Sequence, residues 1–122
     1  MKILGIGVDV IENKRIQSLI NNKSFITRTF GKKEVNLSKN ISNKTNYFAK
    51  RFAAKESFAK SLGTGFRKGL NFKDIEILND KIGKPYYQRS KKIDKIIYKI
   101  FKIRKYDLFL SITDEKDYSV AF

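Results

Sequence analysis

Between Leu4 and Val10 every second residue is aliphatic, and the residues between them are Gly5, Gly7 and Asp9. Alternation with a period of two is the mark of a β-strand, so the spacing predicts a strand over residues 3–10, ILGIGVDV. One face carries Leu4, Ile6, Val8 and Val10; the other carries Gly5, Gly7 and the carboxylate of Asp9. A face of glycines lets a neighbour approach the backbone closely, and Asp9 stands where the neighbour would be met.

The second strong pattern is RFAAKESFAKSLGTG, residues 51–65. It predicts one long helix over 46–62, with Ala54, Phe58 and Leu62 as a core stripe. Phe52, Glu56 and Lys60 form another stripe, about 200° round the helix from the first. Gly63, Thr64 and Gly65 end it, as glycine does at a helix C-terminus. Asn43 or Thr45 is the expected N-cap, after a loop over 40–46.

Shorter elements fill the rest. Ile16, Leu19 and Ile20 suggest a helix over 12–21, with Arg15 near its start, and 22–43 is polar with a short helix near 32–38. Residues 73–79 alternate as a strand, DKIGKPYY holds a turn at the only proline, and a second short strand follows. Ile93, Ile96, Ile97, Ile100 and Ile103 fall at helical spacing over 91–103. Residues 107–113 and 118–122 read as two strands joined by DEKD. The expected fold is α+β, one small domain over 1–122 with an antiparallel sheet and one long central helix.

Composition narrows the chemistry. There is no Cys, which fits a reducing cytoplasm and excludes a disulfide or a thiol nucleophile. No apolar run approaches the roughly 20 residues of a membrane helix. The first residues have no small-residue cleavage site and are interrupted by Asp9 and Glu12, so they are not read as a signal peptide. There is no His, so acid–base work falls to carboxylates, lysine, tyrosine, water or a metal. The net charge of +15 suits polyanions: nucleic acid, acidic proteins or phosphorylated cofactors. Heavy use of Lys, Ile and Asn also accords with a genome rich in A and T.

Glu56 and Lys60 are either a surface ion pair at i, i+4 or part of a site. A second carboxylate would make a Mg2+ site, because that ion is held by one or two carboxylates with phosphates and waters completing its shell. Asp9 is the candidate, and helix capping is its alternative role. The turns GTG (63–65) and GKP (83–85) expose backbone N–H groups suited to phosphate oxygens, or are ordinary turns. The lysines and aromatics of KIIYKIFKIRKY suit nucleic acid, or are the solvated face of an amphipathic helix; no helix-turn-helix, zinc ligand set or RNA-recognition motif accompanies them.

In order, GIGVDV, RFAAKESFAKSLGTG, IGKPYY and LSITDEKDYSVAF resemble the motifs of the holo-acyl-carrier-protein synthase family of small 4′-phosphopantetheinyl transferases. The likeness covers nearly the whole chain. It implies the phosphopantetheinyl transferase fold and a cytoplasmic enzyme of fatty acid biosynthesis. Such an enzyme moves 4′-phosphopantetheine from coenzyme A to a serine of apo acyl carrier protein and releases adenosine 3′,5′-bisphosphate. It implies Mg2+, or Mn2+, held by Asp9 and Glu56, with Glu56 or a metal-bound water as base and Lys60 facing the leaving phosphate. Arg51, Gly83, Lys84 and Pro85 would lie along the nucleotide, Gly63 would let the backbone approach it, and Thr113 would donate a hydrogen bond. Arg15 would face the acidic carrier, and a homotrimer would place the site between subunits, with neither membrane nor nucleic acid as partner. One departure stands out. Asp114 follows Thr113 where the family has a histidine that helps hold the 3′-phosphate. An aspartate there repels phosphate unless it turns away or pairs with a lysine such as Lys116, and this keeps open a relative that binds the carrier without catalysis.

Overall fold

Gly5 and Gly7 leave the N-terminal segment with one side of bare backbone, and helix α4 (Lys44–Ser61) lies directly on it. In the computed structural model, which describes residues 1–122, a Cβ at Gly5 would stand 1.9 Å from the Ser61 carbonyl oxygen and one at Gly7 1.9 Å from that of Ser57. Ser57 Oγ donates to the Gly7 carbonyl at 2.8 Å. The neighbour that the glycine face admits is therefore the chain's own central helix. The steps match: two strand residues rise about 6.6 Å and four helical residues about 6 Å, so Gly5 meets Ser61 and Gly7 meets Ser57.

Regular strand pairing covers only Asp9–Glu12 (β1), not 3–10. Residues 1–8 have α4 on one side and no strand of this chain beside them. Ile3, Ile6 and Val8 are consequently exposed; within β1, Val10 is exposed too, whereas Ile11 is buried. Gly7→Ala would drive a methyl group into the Ser57 carbonyl, so the segment must lift from the helix. We expect a loss of about 1–3 kcal/mol in urea unfolding; an unchanged midpoint would show that the close approach is dispensable.

Helix α4 begins where Asn43 accepts a hydrogen bond from the Asn46 amide at 3.0 Å. It ends at Gly63, whose φ of +78° suits a residue without a Cβ. The expected core stripe, Ala54, Phe58 and Leu62, is buried. The helix is nevertheless not two-faced, because Tyr47, Phe48, Ala49, Arg51, Ala53, Lys55, Ser57 and Ala59 are buried too. It runs through the middle of the molecule, against β1, the strands Ile77–Asn79 (β2), Ile112–Asp114 (β4) and Tyr118–Ala121 (β5), and helix α1 (Asn13–Gln17).

In the main sheet β5 (Tyr118–Ala121) lies between β1 and β4 (Ile112–Asp114), antiparallel to both. Asp9 lies opposite Ala121, and Asp114 opposite Ser119. The expected hairpin around DEKD is present, but pairing begins only at Ser111, which exchanges two 2.8 Å hydrogen bonds with Phe122. Residues 103–110 join no ladder, because no strand of this chain lies beside them. A separate hairpin pairs β2 (Ile77–Asn79) with β3 (Pro85–Tyr87). The expected strand over 73–79 is shorter because Phe72–Asp74 forms a 3-10 turn, closed by Asp74 accepting from the Asn71 amide.

Helix α5 (Lys91–Phe101) buries Ile93, Ile96 and Ile97 as its spacing predicts. Helix α1 is shorter than 12–21, and Leu19 is exposed rather than part of the stripe. Helix α3 (Lys32–Ser38) lies where expected. Helix α2 (Lys23–Thr29) was hidden in polar sequence, although its signal was present: Asn22 caps it and Phe25 is buried. No helix is long and apolar enough to cross a membrane.

Candidate active site

The strand that Gly5 and Gly7 seat on α4 continues to Asp9, on the same face. Lys60 donates from Nζ to Asp9 Oδ1 at 3.0 Å and to the Val8 carbonyl at 3.1 Å. None of the chain's four ion pairs includes Glu56. The surface pair between Glu56 and Lys60 is thus replaced by a link from α4 to β1. Glu56 lies half-buried one turn before Lys60. Burial pushes its carboxyl above the ordinary glutamate range, the charge of Asp9 adds to this, and Lys60 and Arg15 oppose it. Two carboxylates and two cations therefore sense one another at one place.

The donor set suits a hard divalent ion. Asp9 and Glu56 are both oxygen donors, and their mutual repulsion is what a cation between them relieves. No third acidic residue joins them, so the chain builds no closed cage. That fits Mg2+, which keeps several positions for water and phosphate.

Arg51 is not an exposed arm. It is buried, its guanidinium lies 3.6 Å from the centroid of the Tyr47 ring, and Nη1 donates to the Tyr47 carbonyl at 3.3 Å. Nη2 donates to Asn79 Oδ1 at 2.6 Å, and Nε is buried without a partner. Burial pulls its pKa down, and Tyr47 and Glu34 oppose the shift. Asn79 also donates from Nδ2 to the Gly83 carbonyl at 2.9 Å, so Arg51 and the turn of Gly83, Lys84 and Pro85 are brought together. Within that turn Asp80 Oδ1 accepts from the amides of Ile82 and Lys84, and Gly83 has φ +90°.

At the end of α4, the space where Gly63 would carry a Cβ is open. Its conformation, rather than an internal contact, calls for glycine there. Thr113 is exposed on β4. Asp114 turns to the first turn of α4, where its Oδ2 accepts from Asn46 Nδ2 at 2.8 Å. It is not paired with Lys116; a helix N-terminus itself favours negative charge. Arg15, exposed on α1, reaches the field of Glu56.

Two features were not legible in the sequence. One is Asn79. The other is a fully buried ion pair, Lys55 Nζ to Glu34 Oε1 at 2.6 Å. Lys55 also donates to the carbonyls of Phe72 and Ile75, while Glu34 accepts from the amides of Gly31 and Ile77. The only sequence signal was glutamate three residues after Gly31, which forms half of a capping box.

Residues 5–122 match the family model of the 4′-phosphopantetheinyl transferase superfamily. The chain belongs to that superfamily. It is 57% identical over its whole length to a holo-acyl-carrier-protein synthase of Pelagibacter ubique, covering 95% of that protein. Among solved structures, the synthase of Neisseria meningitidis is 36% identical, with a TM-score of 0.88, over 98% of this chain and 95% of that one. The synthase of Bacillus anthracis, solved in complex with coenzyme A as 3′,5′-ADP, is also 36% identical, with a TM-score of 0.79, over 98% of this chain and 92% of that one. The expected α+β architecture and the resemblance in the motifs are both borne out, and the chain is an enzyme, a phosphopantetheinyl transferase of the holo-acyl-carrier-protein synthase type.

Proposed function

We propose that this chain, as one catalytic domain, transfers 4′-phosphopantetheine from coenzyme A to a serine hydroxyl of apo acyl carrier protein in a Mg2+-dependent reaction. The meeting of Asp9, Glu56 and Lys60 where β1 crosses α4 carries the reading. Asp9 and Glu56 would hold the metal, Mg2+ or Mn2+, which supplies positive charge to the diphosphate.

The serine oxygen bonds to the phosphorus that bears pantetheine, and the bond from that phosphorus to the bridging oxygen breaks. Adenosine 3′,5′-bisphosphate leaves. Glu56, or a water held beside it, takes the serine proton. Lys60 offsets charge on the departing oxygen. Arg51 and the turn of Gly83, Lys84 and Pro85 orient the nucleotide, with Gly63 and Thr113 beside it. Arg15 presents positive charge to the acidic carrier. The charge of +15 speeds encounter with both substrates and is screened by salt.

The working assembly in this reading is a homotrimer with sites between subunits. Residues 1–8 and 103–110 leave unpaired edges, and Ile3, Ile6, Val8 and Phe109 are exposed along them. Such edges are normally covered. Light scattering should return three chains; a monomer at working concentration would reject the trimer. The absence of cysteine supports a cytoplasmic location, which cell fractionation tests.

The deciding experiment is the mass of apo acyl carrier protein after incubation with this chain, coenzyme A and Mg2+. A phosphopantetheine increment, abolished by EDTA, is expected. No increment from folded protein and competent carrier would overturn this reading of the site; Asp114, which turns to Asn46, does not by itself argue against it.

A further inference from the structure

We infer that Asn79 is a positioning residue that locks Arg51 and the Gly83–Lys84–Pro85 turn to each other; this rests on the reading of coenzyme A as substrate. Asn79 is the last residue of β2 and pairs with Pro85 across the hairpin. Both halves of its amide are used. Oδ1 accepts from Arg51 Nη2 at 2.6 Å, and Nδ2 donates to the Gly83 carbonyl at 2.9 Å.

No other hydrogen bond ties this turn to the rest of the molecule. Asp80 bonds the amides of Ile82 and Lys84, the Gly83 amide bonds the Asp80 carbonyl, and the Asp80 amide bonds the Lys84 carbonyl. All of these stay within residues 80–84. The turn is closed on itself, and its own link to α4 is one exposed asparagine; the strand that follows is held separately, by the Tyr87 hydroxyl donating to the Ala54 carbonyl at 2.8 Å.

Arg51 needs the contact as much as the turn does. Its Nε is already buried without a partner, so loss of Asn79 would leave a second nitrogen of the guanidinium unpaired. Only a side chain with a donor and an acceptor on one planar group serves both sides. Aspartate would keep Arg51 but present a negative oxygen to the Gly83 carbonyl. Alanine would release both. In neither case is Asp9, Glu56 or Lys60 touched, so the effect falls on the nucleotide end of coenzyme A and spares the bond-making step.

The test is coenzyme A binding by calorimetry for the parent, Asn79→Ala and Asn79→Asp, with kcat and both KM values for each and circular dichroism as the check on folding. We expect Asn79→Ala to weaken coenzyme A binding and raise its KM about tenfold, with kcat and the carrier KM within about twofold. Asn79→Asp should fall between Asn79→Ala and the parent. Equal binding by parent and both variants overturns the inference and leaves the transferase reading standing. So does a fall in kcat with coenzyme A affinity unchanged. A folded parent that does not bind coenzyme A overturns both.

Discussion

Glu56→Gln removes transfer activity by about a thousandfold or more while the fold survives. The side chain is half-buried, takes part in no ion pair, and sits beside the carboxylate of Asp9. An amide of the same shape relieves that repulsion, so stability should hold or rise slightly. It also removes the proposed proton acceptor and half of the proposed anionic donor set. The carrier mass assay and a urea unfolding curve, run side by side, separate the two effects. Full activity in the variant would strip Glu56 of both proposed roles.

Lys55→Met acts next door with the opposite signature. It should cost about 3–5 kcal/mol of stability, because it leaves the Glu34 carboxylate buried without its counter-charge. The carbonyls of Phe72 and Ile75 lose a donor in the same step. Adding Glu34→Gln should restore only part of the loss, since the neutral amide still accepts from one of the two backbone amides at Gly31 and Ile77 but cannot serve both with charge. Urea unfolding reads both variants. A loss below about 1 kcal/mol would place the pair in the weak class of exposed salt bridges.

The contrast between these neighbours shows what a sequence can disclose. Gly5, Gly7 and Asp9 were legible because a period of two and a missing side chain are local facts, and the partner they imply was found in α4. The capping of α4 by Asn43 and its end at Gly63 are local too. Lys55 was not legible, because lysine ordinarily faces water and its partner, Glu34, comes from a distant helix. The depth at which α4 runs could not be read from its stripes, since the polar residues Arg51, Lys55 and Ser57 are buried by what surrounds them. Residues 3–8 and 107–110 look like strands by composition, but a strand needs a neighbour, and this chain offers none. Asp114 was open to several fates by charge alone; Asn46, 68 positions away, decides among them.

The gearing of the N-terminal segment on α4 makes the candidate active site a matter of register. Each glycine acts as a tooth that fits only where a helical carbonyl leaves room, and Ile6 or Val8 in either slot would collide with that carbonyl. The segment therefore cannot slide by one residue, a slip that would carry Asp9 off and offer Lys60 an aliphatic side chain instead. Two positions without chemistry of their own thereby fix which residue faces Lys60. Counted this way, the interval from Gly7 to Asp9 belongs to the proposed catalytic apparatus as much as the carboxylate does, and inserting or deleting one residue there would dismantle the candidate site with every functional group still in the chain.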